Sequence, residues 1–190
     1  MASMTGNVTL STRFAGGFVN ALLRRVFGHE SLFVNEFTTR EAEGEVVLTQ
    51  PLPGDIECLD LAGNTLYLQP GAFLACEPGV SLGVGWAGLA SFMGKEGLFR
   101  LRASGTGKLW FGAYGGIFAK EVDGELIVDT GHLVAYEPTL EIRMGFAGGI
   151  FTTLFGGEGL VTRVRGQGRV YLQSRSMDGL SAWTNARLYG

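Results

Sequence analysis

Histidine and cysteine are scarce, with two of each in 190 residues. Metal centres need clustered ligands, commonly two nearby histidines with a carboxylate. His29 and His132 stand far apart, and Cys58 and Cys76 form no Cys-x-x-Cys pair, so zinc and other metal centres are not expected. Two thiols make no disulfide framework, and both read as small buried hydrophobes in a reducing compartment. Charge is thin, at 17% of residues, with a net value of −3, which argues against a general nucleic-acid or anionic-membrane binder. No apolar run is long enough to span a bilayer as a helix. The first twenty residues lack the basic start and apolar core of a secretory signal, so a cytoplasmic location is expected. There is no Gly-x-Ser-x-Gly elbow, no Walker-type phosphate loop and no dinucleotide glycine motif. No cofactor is implied.

Glycine, in contrast, is abundant: 31 residues, without the three-residue period of collagen. Apolar residues make up 46%, too many for a disordered chain. Length alone fits one domain.

The chain resembles itself. Glu30-Ser31-Leu32-Phe33 recurs as Glu96-Gly97-Leu98-Phe99 and as Glu158-Gly159-Leu160-Val161, spaced 66 and then 62 residues. A second element, Gly71 to Leu82, aligns with Gly131 to Ile142 at an offset of 60 and keeps a Glu-Pro pair, Glu77-Pro78 and Glu137-Pro138. Ala2 to Leu10 is a fainter first copy. A third element follows each copy of the second: the apolar, glycine-rich stretches Phe14 to Gly28, Gly83 to Gly94 and Met144 to Gly157. The expected organisation is one β domain over 1–190, with a partial first unit 1–28, units 29–94 and 95–157, and a partial last unit 158–190.

Within the units, Glu45–Leu48 and Asp55–Leu61 alternate with a period of two, as half-buried strands do. Gly63-Asn64 and Asp123-Gly124 read as hairpin turns, from Ile56–Leu61 to Leu66–Gln69 and from Ile117–Val122 to Leu126–Asp129. Gly105-Thr106-Gly107 and Gly166-Gln167-Gly168 read as matching turns. Short strands with frequent turns point to a sandwich, barrel or β-prism. Phe14, Phe18, Leu22 and Val26 recur every four residues, which predicts a short helix from about Gly17 to Phe27.

Five stretches together are similar to one protein family: Glu30 to Asn35, Pro70 to Ala75, Gly94 to Phe99, Val128 to Ala135, and Gly157 to Val161. It is the family named for altered inheritance of mitochondria, long filed as a domain of unknown function, and the likeness runs from about Met1 to Ser174. The resemblance implies an all-β fold of the tryptophan RNA-binding attenuation protein superfamily. That is a double-stranded β-helix or β-prism-like barrel with internal repeats, here with short helical or glycine-rich caps. It also implies an oligomer, with a trimer favoured. A yeast member is linked to the mitochondrial inner membrane. The family provides no catalytic residue, so no enzyme activity is expected. Members carry further residues before the stretch equivalent to Ala2–Leu10. Met1 falls where Phe73 and Leu133 sit in the other copies, so the first unit is expected to lack its opening hairpin. Either the start is internal, or the chain was shortened, or a partner covers the exposed edge.

Four groups of residues carry the functional expectations. Phe14, Phe18, Leu22, Trp86, Phe92, Phe146, Ile150 and Phe155 recur in equivalent apolar stretches. These either cap the core or form one surface for a membrane, a partner protein or another subunit. From Arg143 onward six arginines face only Glu158 and Asp178, about +4 for the tail (6 − 2). Arg163, Arg165 and Arg169, with Tyr171 nearby, make the alternative site, a nucleic-acid or small-ligand face. A solvated strand face, or pairing with acids of another subunit, explains these arginines more simply, so nucleic acid is not favoured. Glu30, Glu96 and Glu158 either ring a pseudo-threefold axis around a cation or accept hydrogen bonds in tight turns. Asp129 and His132, three apart, resemble a base with its orienting acid. His132 aligns with Ala72, so the fold does not require it. The expected role is a non-catalytic oligomeric scaffold or binding module.

Overall fold

A computed structural model of the chain describes residues 1–14, 33–69, 71–86, 99–146 and 160–188. The proposed helix over 17–27, His29 and the three repeated glutamates lie outside the described residues. The described chain is mostly strand. In order it runs β1 (Ser3–Met4), β2 (Val8–Phe14), β3 (Phe33–Thr39), β4 (Val46–Val47), β5 (Ile56–Leu68), β6 (Phe73–Cys76), β7 (Val80–Trp86) and β8 (Phe99–Gly112). It continues with β9 (Ile117–Asp129), a 3-10 turn at Thr130–His132, β10 (Leu133–Tyr136), β11 (Glu141–Phe146), β12 (Leu160–Gln173) and α1 (Met177–Leu188).

The self-similarity seen in the sequence is a repeated pattern of strand pairing. One edge of β8 is paired antiparallel to β5, and the other to β6 and then β7. The edges of β12 are taken in the same order by β9, and by β10 and then β11. The second and third copies join where Ala135 and Tyr136 of β10 pair with Leu68 and Tyr67 of β5. An eight-stranded sheet results, while β1–β4 and β2–β3 form separate two-stranded pairs.

The Glu-Pro element explains the periodicity. The backbone N–H of Glu77 donates to Lys108 O (2.9 Å), and the Glu77 carboxylate accepts from Lys108 N (2.8 Å). Glu137 does the same with Arg169, at 3.0 Å for each bond. The faint first copy keeps the bracket with a different acceptor: Thr5 N donates to Glu45 O (3.0 Å), and Glu45 N donates to the Thr5 hydroxyl (3.1 Å). Three residues on, Val8, Val80 and Leu140 each donate back to the carbonyl of Thr5, Glu77 and Glu137. Thr5, Glu77 and Glu137 are therefore one position in three copies, and so are Gly44, Gly107 and Gly168, just before the clamped amides. The Glu137→Ala variant removes a charged acceptor from a strand amide. It should cost about 1 kcal/mol in urea unfolding, with Glu137→Gln recovering most of it.

Four expected turns are not turns. Gly63, Gly124, Gly105, Gly107, Gly166 and Gly168 all take positive φ, but they sit inside continuous strands. Opposite Gly105–Gly107, β5 shifts register between Ala62 and Thr65, a bulge with Gly63 in it, and Gly124 pairs with Gly166. A left-handed residue re-aims a strand at a bulge as readily as it closes a hairpin. The long strands therefore bend here and pair on both sides of the bend.

Burial follows the pairing. One core joins Leu66, Leu68, Ala103, Leu109 and Phe111 of the second copy to Val134, Ala135 and Tyr171 of the third. A second lies within the third copy, around Val122, Leu133, Tyr136, Val164, Val170 and Leu172. Strand β10 faces both. Cys58 was expected to be buried, but it lies exposed beside Ile56 and Asp60 on the outward face of β5. The alternate residues Leu59 and Leu61 point inward. Helix α1 has no buried residue and no apolar stripe, which explains why periodicity did not reveal it.

Candidate functional site

The three apolar stretches hang from equivalent strand ends. The last pairs of the three antiparallel ladders are Phe14 with Phe33, Trp86 with Phe99, and Phe146 with Leu160. Residues 15–32, 87–98 and 147–159 each bridge one of these closing pairs. Phe14, Trp86 and Phe146 are therefore placed as backbone equivalents at the mouths of three like ladders. Phe18, Leu22, Phe92, Ile150 and Phe155 lie outside the described residues.

The arginine group is assembled on one sheet, with its charge engaged. Arg163 and Arg165 both reach Glu125 across the β9–β12 ladder, at 2.9 and 3.2 Å, and the two guanidiniums hold the Glu125 carboxyl below its usual range. Gln167 donates to Asp123 (2.9 Å), and Arg169 donates to Glu121 (2.6 Å). The acids come from β9 of the same chain, not from another subunit as the pairing alternative had it. Arg169 is pushed up by Glu121 first and by the Tyr171 hydroxyl second. The Tyr171 ring itself is buried, edge-on to Phe111 with centroids 5.3 Å apart, so it offers no free face for stacking a base.

Asp129 and His132 belong to the turn that launches β10. The Asp129 carboxylate accepts from Gly131 N (3.3 Å), and His132 Nδ1 lies 2.7 Å from the Gln173 carbonyl. The His132 Nε2 is 3.9 Å from Asp129, an exposed and loose approach. Ring and carboxylate thus hold the β10 turn against the end of β12.

A buried cluster that the sequence did not announce sits where the second and third copies meet. Tyr136, 3% exposed, stacks on Tyr67 with ring centroids 5.3 Å apart. The Arg100 guanidinium lies 5.0 Å from the Tyr136 ring centroid and donates to its hydroxyl. Burial raises the Tyr136 hydroxyl, against the opposing pull of Arg100. A cation–π contact with a hydrogen bond pins β8 to β10. Tyr136 aligns with Cys76 and Met4, so alignment of the copies gave no signal for it.

A cavity of about 200 Å³ opens between β6 and β10, lined by Phe73, Leu74, Leu133 and Val134 with Gln50 and Gln173. The Gln50 and Gln173 carboxamides are committed to backbone. Gln173 accepts from Tyr114 N (2.9 Å) and donates to Gly131 O (2.8 Å), and Gln50 donates to Gly54 O (2.6 Å). Among the described residues, no group of three His, Cys, Asp or Glu side chains is placed to hold a metal ion. Cys58 and Cys76 are free thiols. Burial pushes Cys76 up, so near neutral pH Cys58 should alkylate with iodoacetamide well before Cys76, as the masses of the labelled peptides will show.

Fold and site together define a mostly-β protein of tandem copies, each closed by a backbone clamp, with the second and third joined through the β5–β10 pairing. The chain belongs to the AIM24 family, described as mitochondrial biogenesis AIM24, whose model matches residues 1–175. Helix α1 lies beyond that match. An uncharacterised protein of Streptococcus pyogenes serotype M6 is 30% identical over 187 residues, covering 94% of this chain and 75% of the relative. The X-ray structure of a Streptococcus pyogenes protein superposes with a TM-score of 0.78 at 28% identity, covering 98% of this chain and 85% of that one. No described helix is long and apolar enough to cross a membrane.

Proposed function

We propose that this chain is a non-catalytic, oligomeric scaffold or binding protein. Its apolar, glycine-rich segments meet a membrane surface or a partner protein. The copies close into a β-prism of the double-stranded β-helix kind, and three chains associate. One observation carries this reading. The closing pairs Phe14–Phe33, Trp86–Phe99 and Phe146–Leu160 occupy one register position in three copies, and each is bridged by an apolar segment. Repetition of a greasy segment at one structural position is economical for a contact surface and has no use in a single catalytic centre. The engagement of Asp129, His132, Glu77 and Glu137 in turns and clamps supports a role without catalysis.

Vesicle flotation with sedimentation velocity tests it. The protein should sediment as an oligomer and float with vesicles at physiological salt. Phe18→Asp, Phe92→Asp and Phe155→Asp should each lower the bound fraction several-fold. If the protein floats with no vesicle but keeps its oligomer, the segments serve subunits or protein partners. A monomer that ignores vesicles would end the proposal. The alternative, an RNA or small-ligand face at Arg163, Arg165, Arg169 and Tyr171, gains less support, because the three arginines are tied to two acids of β9, Arg163 and Arg165 to Glu125 and Arg169 to Glu121.

A further inference from the structure

We propose that the cavity between β6 and β10 binds one small, uncharged, mainly hydrocarbon molecule that carries a single hydrogen-bonding oxygen or nitrogen. The walls come from three places along the chain. Phe73 and Leu74 of β6 supply one, Leu133 and Val134 of β10 another, and Pro51 and Leu52 a third. The first four are equivalent pairs, since Gly71 to Leu82 aligns with Gly131 to Ile142. The cavity therefore sits where like strands of two copies converge. Leu133 and Val134 are 3% and 2% exposed, so their wall belongs to the interior. Leu52 and Met177 also line the cavity but stay exposed, which leaves a way in from solvent.

The polar lining singles out Tyr114. It is 6% exposed, and its hydroxyl has no hydrogen-bond partner among the described residues. Its backbone is fixed on both sides. The N–H donates to the Gln173 carboxamide oxygen (2.9 Å), and the carbonyl accepts from Arg175 N (3.2 Å). The Arg175 guanidinium lies 5.7 Å from the ring centroid. These contacts hold the residue and leave the hydroxyl unused. A buried hydroxyl without a partner is costly, and a ligand that pairs with it recovers that cost. Water suits this position poorly, because a buried water needs about two to four polar partners. Gln50 and Gln173 spend their carboxamides on backbone, and Gln69 is engaged as well.

Charge and volume define the class of ligand. No Asp, Glu, Lys, Arg or His stands among the described residues of the lining, so an ion would enter unpaired. A cavity of roughly 150 Å³ lined by apolar side chains takes a benzene ring. The volume here, about 200 Å³, suits one ring with a short substituent. The site shares no residue with the closing pairs Phe14–Phe33, Trp86–Phe99 and Phe146–Leu160, so it stands independently of any surface they form.

Amide chemical shifts of the intact protein, titrated with p-cresol and separately with toluene, test this. Both compounds should move the amides of Phe73, Leu74, Tyr114, Leu133 and Val134 saturably. The p-cresol should bind about fivefold tighter, because only it can pair with the Tyr114 hydroxyl. Tyr114→Phe keeps the ring and should bring the two affinities together. No saturable shift with either compound would overturn the proposal, as would equal affinities in the unaltered protein. So would shifts confined to exposed apolar residues such as Ile127 and Trp183, or a p-cresol preference that survives in Tyr114→Phe.

Discussion

Gly105→Ala should fail to fold stably, with a loss of at least about 3 kcal/mol. Gly105 has φ +132°, and a Cβ there would come within 2.2 Å of Gly79 O, which is itself backbone. Two penalties coincide: a conformation that L-residues rarely adopt, and a clash that no rotamer change relieves. Gly79 O also accepts the Thr106 N–H at 3.1 Å, so moving away breaks a hydrogen bond. The equivalent Gly166 has φ +123°, with its nearest atom, Thr139 O, at 2.8 Å, so Gly166→Ala should be damaging but milder. Gly63, at φ +85°, meets nothing within 4 Å, so Gly63→Ala should cost only about 1 kcal/mol. Urea midpoints of the three variants check the ranking. Equal losses at Gly63 and Gly105 would mean that the close approach of β8 to the Gly79 backbone is not what Gly105 serves.

Phe111→Ala should cost about 3–5 kcal/mol. Phe111 is fully buried on β8 and meets the Tyr171 ring edge-on at an interplanar angle of 77°. It fills the core shared by the second and third copies, so its removal leaves a cavity at their junction. Phe118, on the outward face of β9 and 49% exposed, is the control. Phe118→Ala should shift stability by no more than about 0.5 kcal/mol. Thermal unfolding of both variants would also show whether the copies melt together. A second transition in Phe111→Ala alone would mark loss of their coupling.

The repeat was legible in the sequence because its cause is local chemistry. A Glu-Pro pair followed about thirty residues on by a Gly-x-Gly has few alternatives once the backbone clamp is known. The glycines misled in one respect. Positive φ serves bulges and hairpins alike, so Gly63-Asn64 and Asp123-Gly124 read as chain reversals although β5 and β9 continue through them without a break. The outward position of Cys58 was hidden because Ile56, Cys58 and Asp60 mix apolar and charged residues on one face. The arginine row was visible, but its ion pairs were not. The match of Arg163, Arg165 and Arg169 with Glu121 and Glu125 depends on the register of β12 against β9, which no local pattern fixes. The Arg100–Tyr136–Tyr67 cluster joins three strands distant in sequence and differs between copies, so neither motif nor alignment could indicate it.

The direct test follows hydrogen exchange in residues 15–32, 87–98 and 147–159 while protein concentration is raised and, separately, while vesicles are added. Copies of one module presenting one surface predict that all three segments become protected together, under the same condition and over the same titration range. Protection of a single segment, or of none under either condition, would contradict the account.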